Sequence, residues 1–166
     1  ASNLCINKYN AIDVFLVDTE ERRKSVWTVR GGFLEAIKAS TSEIDECDVV
    51  LPRSHIGEFL SYVRKVSDDL KIRIPYFGHV GDGNLHIYFC KDDLDDATWE
   101  EKLKVGFNAL YQKAFSFGGL VSGEHGIGYA KKEYMRQLLG EKQINIMKGI
   151  KASFDPNHIL NPGKVI

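Results

Sequence analysis

The chain has 166 residues, of which 43% are hydrophobic and 27% charged, an ordinary composition for a globular domain that can bury a core. Its formal net charge of −1 gives no electrostatic basis for binding nucleic acid or an anionic membrane surface. Cys5, Cys47 and Cys90 form no CxxC pair, which argues against a disulfide framework or zinc ribbon and favours a cytoplasmic location. We expect neither a signal peptide nor a membrane span.

In the first half of the chain, the spacing of apolar residues predicts two helices separated by a short strand. Asp18 and Glu21 are typical of a capping box, so a helix is expected from about residue 19 to about residue 40. Val26, Phe33 and Ile37 form its apolar stripe. Residues 48–51 predict a short buried strand. An amphipathic helix follows, with these residues on one side: Ile56, Phe59, Leu60, Val63 and Val66.

The second half predicts two strands, over residues 72–80 and 84–90, and then a third helix over about residues 98–115. Gly118 and Gly119 end that helix. Two further helical segments are expected over about residues 130–138 and 141–153. Helices that cover one face of an antiparallel sheet make an α+β layer fold, and we expect residues 1–166 to form a single domain.

The stretch GHVGDGNLHIYF, residues 78–89, is the most informative for chemistry. Asp82-Gly83 is a strong signal for a two-residue hairpin turn, because type I′ turns need positive φ at both central positions. Counting outward from that turn places His79 opposite His86, with Cβ atoms about 5 Å apart on one face of the sheet. Two imidazoles at this separation can bind one divalent cation at about 2.1 Å. The hairpin therefore predicts a metal site.

The same register places Phe77 opposite Tyr88 on the face of the two histidines, and a slip by one residue would break the pairing. A histidine in a strand is usually a core or surface residue, so the spacing alone leaves the metal site and that plain interpretation evenly balanced. Asp82 and Asn84 could also reach a cation, but turn chemistry already explains both residue types.

A glycine-rich stretch, GGLVSGEHGIG at residues 118–128, carries Glu124 and His125 side by side. Glu124 could supply an oxygen ligand to the histidine pair, and three protein ligands leave one position open for water or substrate. Histidine titrates near neutral pH, so His125 beside a metal would suit a base. The alternative is a solvent-exposed loop. Neither HExxH nor a GxSxG elbow around Ser122 is present.

Arg30 falls within the apolar stripe of the first helix, four residues after Val26 and three before Phe33. A buried guanidinium needs an anionic partner. A substrate carboxylate held by two hydrogen bonds could be that partner. A side chain that reaches solvent at the edge of the stripe, or that pairs with a protein carboxylate, explains the position equally well.

Three motifs in this order, GHVGDGNLH, SGEHGIG and FDPNHILNPGK, resemble the C-terminal domain of FAD-linked oxidases of the vanillyl-alcohol-oxidase type. The resemblance covers nearly the whole chain, and VWTVRGGFLEAIKAS with DECDVVLPRS is similar to the branch of D-lactate dehydrogenase and the glycolate oxidase flavoprotein subunit. It implies a ferredoxin-like antiparallel sheet with helices on one face and additional C-terminal helices. It also implies a flavin-dependent 2-hydroxy-acid dehydrogenase.

By this resemblance His79, His86 and Glu124 bind a divalent metal, zinc or else manganese or iron, and His125 removes the hydroxyl proton. The other residues implied are Arg30, which holds the substrate carboxylate, Tyr88, which contacts substrate, and Asn161, which lies near the flavin. FAD itself would be bound mainly by an N-terminal domain, supplied in cis or in trans, that this sequence does not contain. We therefore expect the isolated chain to be an inactive fragment or split subunit. An electron-transfer flavoprotein or an iron–sulfur subunit is an implied partner.

Relatives that act on 2-hydroxyglutarate carry polar groups for its distal carboxylate, whereas the matching positions here are Leu34, Glu46 and Tyr88. None of these suits a second carboxylate, which favours a short monocarboxylate such as lactate or glycolate. The alternatives are a fragment similar to D-2-hydroxyglutarate dehydrogenase, a non-catalytic metal-binding or interaction module, and a metal-dependent hydrolase.

Overall fold

The computed structural model describes residues 2–166. They form two compact units, one that ends at Ala39 and one from Ser40 to Ile166. The second unit carries an antiparallel sheet with helices, so the predicted α+β class is confirmed. Over the described residues, none of the helices combines the length and the apolarity that crossing a bilayer requires.

The first unit contains three helices: α1 (Ser2–Tyr9), α2 (Glu20–Gly31) and α3 (Phe33–Ala39). The single helix predicted over about residues 19–40 is therefore wrong, since it is interrupted at Gly32. The predicted capping box is also wrong. Thr19 is the N-cap, and its hydroxyl oxygen accepts from the backbone N–H of Arg22, while the Asp18 carboxylate pairs with the Arg22 guanidinium at 2.8 Å.

The second unit follows the predicted order of elements, with changed boundaries: β1 (Ile44–Val50), a 3₁₀ turn (Arg53–His55), α4 (Ile56–Leu70), β2 (Tyr76–His79), β3 (Asn84–Cys90), α5 (Asp96–Ser116) and α6 (Lys132–Phe154). β1 begins four residues earlier than predicted and β2 is shorter. The two predicted C-terminal segments appear as α6, which non-helical backbone at Gly140 interrupts.

The strands are hydrogen-bonded in the order β1-β3-β2, all antiparallel. A single bridge between Val50 and Leu120 adds the chain after α5 to the free edge of β1. The resulting order, the Leu120 bridge, β1, β3 and β2, is that of a ferredoxin-like βαββαβ unit whose last strand is reduced to one residue. This bridge positions the start of the loop that carries Glu124 and His125.

One face of the sheet closes the hydrophobic core, and helices cover it. The Phe89 ring on β3 lies 5.0 Å from that of Phe107 on α5. The fully buried residues of this face are Cys47, Val49, Ile87 and Phe89, with Leu85 almost so. Cys5, Cys47 and Cys90 are free thiols, as expected, and burial raises the pKa of Cys47 and of Cys90. The opposite face of the same strands carries Glu46, Asp48 and His86.

Candidate metal and substrate site

Four residues, 80–83, close the hairpin between β2 and β3. The backbone N–H of Asp82 donates to the carbonyl oxygen of His79 at 3.0 Å, and that of Gly83 donates to Val80 at 3.3 Å. Gly83 has φ +78°, and a Cβ atom there would overlap the carbonyl oxygen of Leu51 at the end of β1. Only glycine satisfies both conditions, so the approach of β1 as well as the turn itself sets the shape of the hairpin.

The predicted hairpin register is wrong by two residues. His79 pairs with Asn84 and Phe77 pairs with His86, instead of the predicted His79–His86 and Phe77–Tyr88 pairs. Because side chains alternate with a period of two, a shift of this size leaves all of them on the predicted face. His79 and His86 are diagonal neighbours with ring centroids 5.8 Å apart, and the Phe77 and Tyr88 rings stack at 5.3 Å.

β1 adds two carboxylates to the same face. It pairs with β3 so that Asp48 lies opposite His86 and Glu46 lies opposite Tyr88. Residues next to each other on a face interact directly across the strands. Glu46 Oε1 lies 2.9 Å from His86 Nδ1, and Asp48 Oδ1 lies 3.9 Å from the same nitrogen. The face opposite the core is therefore a titratable surface.

The loop after the Leu120 bridge brings Glu124 to the two strand histidines. Glu124 Oε1 lies 3.0 Å from His86 Nε2 and 3.8 Å from His79 Nε2, and the three ligand atoms lie within 4.8 Å of one another. Ligands at about 2.1 Å from a tetrahedral ion are about 3.4 Å apart. Two imidazole nitrogens and one carboxylate oxygen at these separations fit a divalent cation.

His86 carries further evidence for a cation, because it has a carboxylate oxygen at each ring nitrogen: Glu46 at Nδ1 and Glu124 at Nε2. A neutral imidazole has one N–H donor and one acceptor nitrogen. His86 is 5% exposed. Two ionised carboxylates around one neutral ring would leave one acceptor facing another, and a cation next to Nε2 would remove that conflict.

Asp48 holds the Glu-His loop in place although its side chain is fully buried. Its Oδ2 accepts from the Ser122 hydroxyl at 2.8 Å and from the backbone N–H groups of Gly123 and His125, and Lys131 Nζ lies 3.5 Å away. Desolvation alone would raise the pKa of Asp48, but these donors and the Lys131 charge outweigh it and lower the pKa. The carboxylate therefore stays ionised and fixes the loop backbone.

His125 lies beside His86, with ring centroids 4.9 Å apart and planes inclined by 21°. Its Nδ1 lies 3.2 Å from Glu46 Oε1 and its Nε2 lies 3.7 Å from Glu124 Oε1. His125 is half-exposed, whereas His86 is buried. An accessible imidazole next to a candidate ligand set has the placement that a base for a bound substrate needs.

A cleft of about 340 Å³ opens next to this cluster and is lined by Val50, His79, Asp82, Asn84, Gly123 and Glu124. It is large enough for a small organic acid. Asn84 is buried, and its Oδ1 has no hydrogen-bond partner among the described residues. The amide packs against Gly123, where a Cβ atom would overlap it.

The remaining predicted residues lie in three places. Tyr88 is buried on the cluster's face of β3. Arg30 is half-buried on α2 in the first unit, so its contact with substrate stays a prediction. Asn161 is in the exposed C-terminal tail with φ +45°, and its carbonyl oxygen accepts from Lys164 N–H at 3.2 Å. Its place near a flavin also stays a prediction.

From the sequence, Glu46 was considered only as a position facing a second substrate carboxylate, and Asp48 was given no role in the site. The signal was present in DECDVV, where acidic residues at every second position share one face of the strand. Recognising it needed the pairing of β1 with β3, which joins residues about forty positions apart.

Comparison with known proteins gives one family. The model for "FAD linked oxidases, C-terminal domain" matches residues 4–165. The D-lactate dehydrogenase of Anaerostipes hadrus is 49% identical over 155 residues, which cover 93% of this chain and 33% of that protein. Glycolate oxidase subunit GlcD of Bacillus subtilis is 35% identical over 158 residues, 95% of this chain and 33% of that protein.

A D-2-hydroxyglutarate dehydrogenase of Stutzerimonas stutzeri is similar at 29% identity over 164 residues, 97% of this chain and 35% of that protein. The chain thus spans about a third of the length of these curated relatives. Their names describe oxidation of three different 2-hydroxy acids.

Proposed function

Because the chain belongs to the C-terminal domain family of the FAD-linked oxidases, we propose that it is the metal- and substrate-binding part of a flavin-dependent dehydrogenase of a short 2-hydroxy acid. Its partner is an FAD-binding domain in the same or another polypeptide. The observation that carries the proposal is the convergence of His79, His86 and Glu124 to within 4.8 Å beside an open cleft. The three free thiols support a reducing compartment such as the cytoplasm.

The groups of the cluster, and two predicted residues outside it, have distinct roles in this proposal. His79, His86 and Glu124 hold the divalent cation, which, when bound, supplies Lewis acidity that lowers the pKa of the substrate 2-hydroxyl. His125 accepts the hydroxyl proton at Nε2, the ring nitrogen that faces Glu124. Arg30 binds the substrate carboxylate. A bound flavin would supply the hydride acceptor for C2, and Asn161 would be one of the residues that hold it.

We favour a short monocarboxylate over 2-hydroxyglutarate because of two residues on the titratable face, Glu46 and Tyr88. Glu46 is an anion on the titratable face, next to His86 and His125, and it would repel a second carboxylate at close range. Tyr88 is buried against Phe77 and offers no positive charge. Both features support D-lactate or glycolate as the substrate class.

Metal uptake tests the ligand set directly. We expect the purified chain to bind about one divalent ion per molecule, as a three-ligand site requires. Replacing His79 and His86 together with alanine should abolish uptake, measured by calorimetry and metal analysis. His55→Ala is the matched control, because His55 stacks on Phe117 at 4.5 Å, away from the cluster, and should leave uptake unchanged. Equal metal content in the wild type and the double variant would refute the site.

A chimera tests the activity. The matching third of the A. hadrus D-lactate dehydrogenase would be replaced by this chain. We expect D-lactate or glycolate to reduce the flavin of the chimera, and His125→Ala to slow reduction by about 10²–10⁴-fold. A folded, FAD-loaded chimera that neither acid reduces would contradict the proposed function.

A further inference from the structure

We propose that Glu46 is a positioning residue that fixes both the orientation and the tautomer of His86 and His125. This inference deepens the proposed function and rests on it, because it explains how a ligand and a base come to face the same point. A single carboxylate oxygen on β1 would hold both rings by Nδ1 and direct both Nε2 atoms towards Glu124.

The two contacts share one atom. Glu46 Oε1 lies 2.9 Å from His86 Nδ1 and 3.2 Å from His125 Nδ1. On the far side of the rings, Glu124 Oε1 lies 3.0 Å from His86 Nε2 and 3.7 Å from His125 Nε2. The nearly parallel stacking of the two rings is consistent with this arrangement, in which both imidazoles lie between the same pair of carboxylates.

The chemistry of the carboxylate determines the tautomer. An ionised carboxylate only accepts hydrogen bonds, so the Nδ1 of His86 that is hydrogen-bonded to Glu46 must carry the proton, and the same carboxylate at 3.2 Å favours a proton on the Nδ1 of His125. The Nε2 atom of a neutral ring then has a free lone pair, as a metal ligand and a proton acceptor both require. Without Glu46 the remaining carboxylate oxygen near His125 Nδ1 is Asp48 Oδ2 at 3.9 Å, which is beyond hydrogen-bond distance and would not impose this choice on the half-exposed ring.

Glu46 is well placed to act on both rings. Its position on β1 is set by antiparallel pairing with β3, and its side chain is 24% exposed, far less than that of Glu124 at 50%. Glu46, His86 and His125 also form a second group with ligand atoms within 4.8 Å. Glu46 as a direct ligand of a second ion is therefore the competing arrangement that an experiment must exclude.

The first test reads the tautomers in the metal-free chain of 166 residues. Long-range ¹H–¹⁵N spectra at about pH 8.5, where ordinary histidines are neutral, should show the Nδ1–H form of His125. Glu46→Leu, which removes the acceptor, should convert His125 to a mixture dominated by Nε2–H. Glu46→Gln keeps an acceptor oxygen without the charge and should retain part of the Nδ1–H form.

Glu43→Gln is the matched control, because Glu43 pairs with Lys91 at the start of β1 and should leave both rings unchanged. An Nε2–H form of His125 in the wild type, or an unchanged Nδ1–H form in Glu46→Leu, would overturn the proposal. The wild-type spectrum alone decides the matter if Glu46→Leu does not fold.

The second test measures zinc affinity by calorimetry. Removing a residue that orients a ligand weakens metal binding by about 10–100-fold without changing the stoichiometry. We expect Glu46→Leu to bind one zinc ion within this range of weaker affinity. Two ions in the wild type and one in the variant would make Glu46 a ligand and refute the positioning role. If the wild type bound no zinc, the ligand set would fail, whereas the tautomer measurement would still test Glu46.

Discussion

The two faces of the β1–β3 pair are built from alternating residues of the same strands, yet the buried side chains on each face are stabilised in different ways. On the core face, Val49, Ile87 and Phe89 are fully buried under helices and need only shape complementarity. On the other face, Asp48 and His86 are nearly as buried but carry polar atoms. Those atoms must find partners, because an unpaired polar group away from water costs about 1–3 kcal/mol.

The difference indicates which face of the sheet has polar groups that lower the stability of the fold and are suited to binding and proton transfer. The buried side chains of the core face are uncharged. The titratable face concentrates Glu46, Asp48, His86, Glu124 and His125, and it leaves Asp48 Oδ1 and Asn84 Oδ1 without hydrogen-bond partners among the described residues. Clusters of ionisable groups that include buried members are characteristic of functional sites.

The largest effect is expected from Asp48→Ala. Its removal leaves Lys131 without its buried partner and frees the backbone at Gly123 and His125, so we expect a loss of about 3–5 kcal/mol in the free energy of unfolding. Ion uptake should also fall, because the Glu124 loop loses its anchor. Urea denaturation and calorimetry measure the two quantities.

Val49→Ala provides the control, since Val49 is the next residue on β1 and points to the core. It should cost about 2 kcal/mol through lost burial and leave ion affinity unchanged. The contrast between the faces would break down if Val49→Ala weakened ion binding as much as Asp48→Ala did.

Two glycines offer a sharper comparison with a smaller effect. A Cβ at Gly106 on α5 would overlap the buried Phe89 ring, and a Cβ at Gly123 would overlap the Asn84 amide. Gly106→Ala should lose about 1–3 kcal/mol by overpacking, partly offset by about 1 kcal/mol of better helix propensity. It should bind ions normally.

Gly123→Ala should show the reverse pattern. Either Asn84 or the loop that carries Glu124 must move, so we expect ion affinity to fall about tenfold or more, as when a residue supporting a metal ligand is lost. The change in thermal unfolding should be smaller than for Gly106→Ala. Equal ion affinity in both variants would show that the two faces are not functionally separate.

The core face could be predicted from the sequence to a greater extent than the titratable face. Apolar periodicity is local, and it located α4, α5 and the two hairpin strands within a few residues. The same local patterns did not predict the hairpin register or the end of α2. The hairpin closes through residues 80–83, with Gly83 packed against the Leu51 carbonyl, instead of through a two-residue turn, and α2 ends at Gly31 although the apolar pattern continues.

The His79, His86 and Glu124 set could be proposed in advance because a shift of two residues preserves the face of each side chain. Glu46 and Asp48 could not, since their roles depend on non-local pairing and on the path of the loop after Leu120. Hydrogen bonds from a loop to a strand some 75 positions earlier leave no periodic signal in the sequence.

The smallest expected effect concerns the other buried carboxylate, Asp155, which lies off the sheet and stabilises only the tail. It accepts from Lys151 Nζ at 2.9 Å and from the backbone N–H groups of Ile159 and Leu160 at 2.9 and 3.0 Å, and Lys151 also donates to the Leu160 carbonyl. The hydrogen bond from Lys151, followed by those from the backbone, holds the pKa of Asp155 below its ordinary value. A depressed folded-state pKa contributes stability above the unfolded pKa of about 3.9, and this is lost as pH falls through the folded value.

Amide exchange protection of Ile159 and Leu160 should therefore be constant down to about pH 4 and decrease below it, while that of the β3 amides persists. Asp155→Asn keeps the shape but cannot ionise, so its tail should be weakly protected at every pH. Protection that decreases equally with pH in both proteins would assign the effect to another group. Because Asn161 follows directly after these two amides, a tail released by Asp155→Asn should also weaken the proposed docking of Asn161 against the flavin, without altering ion uptake at the titratable face.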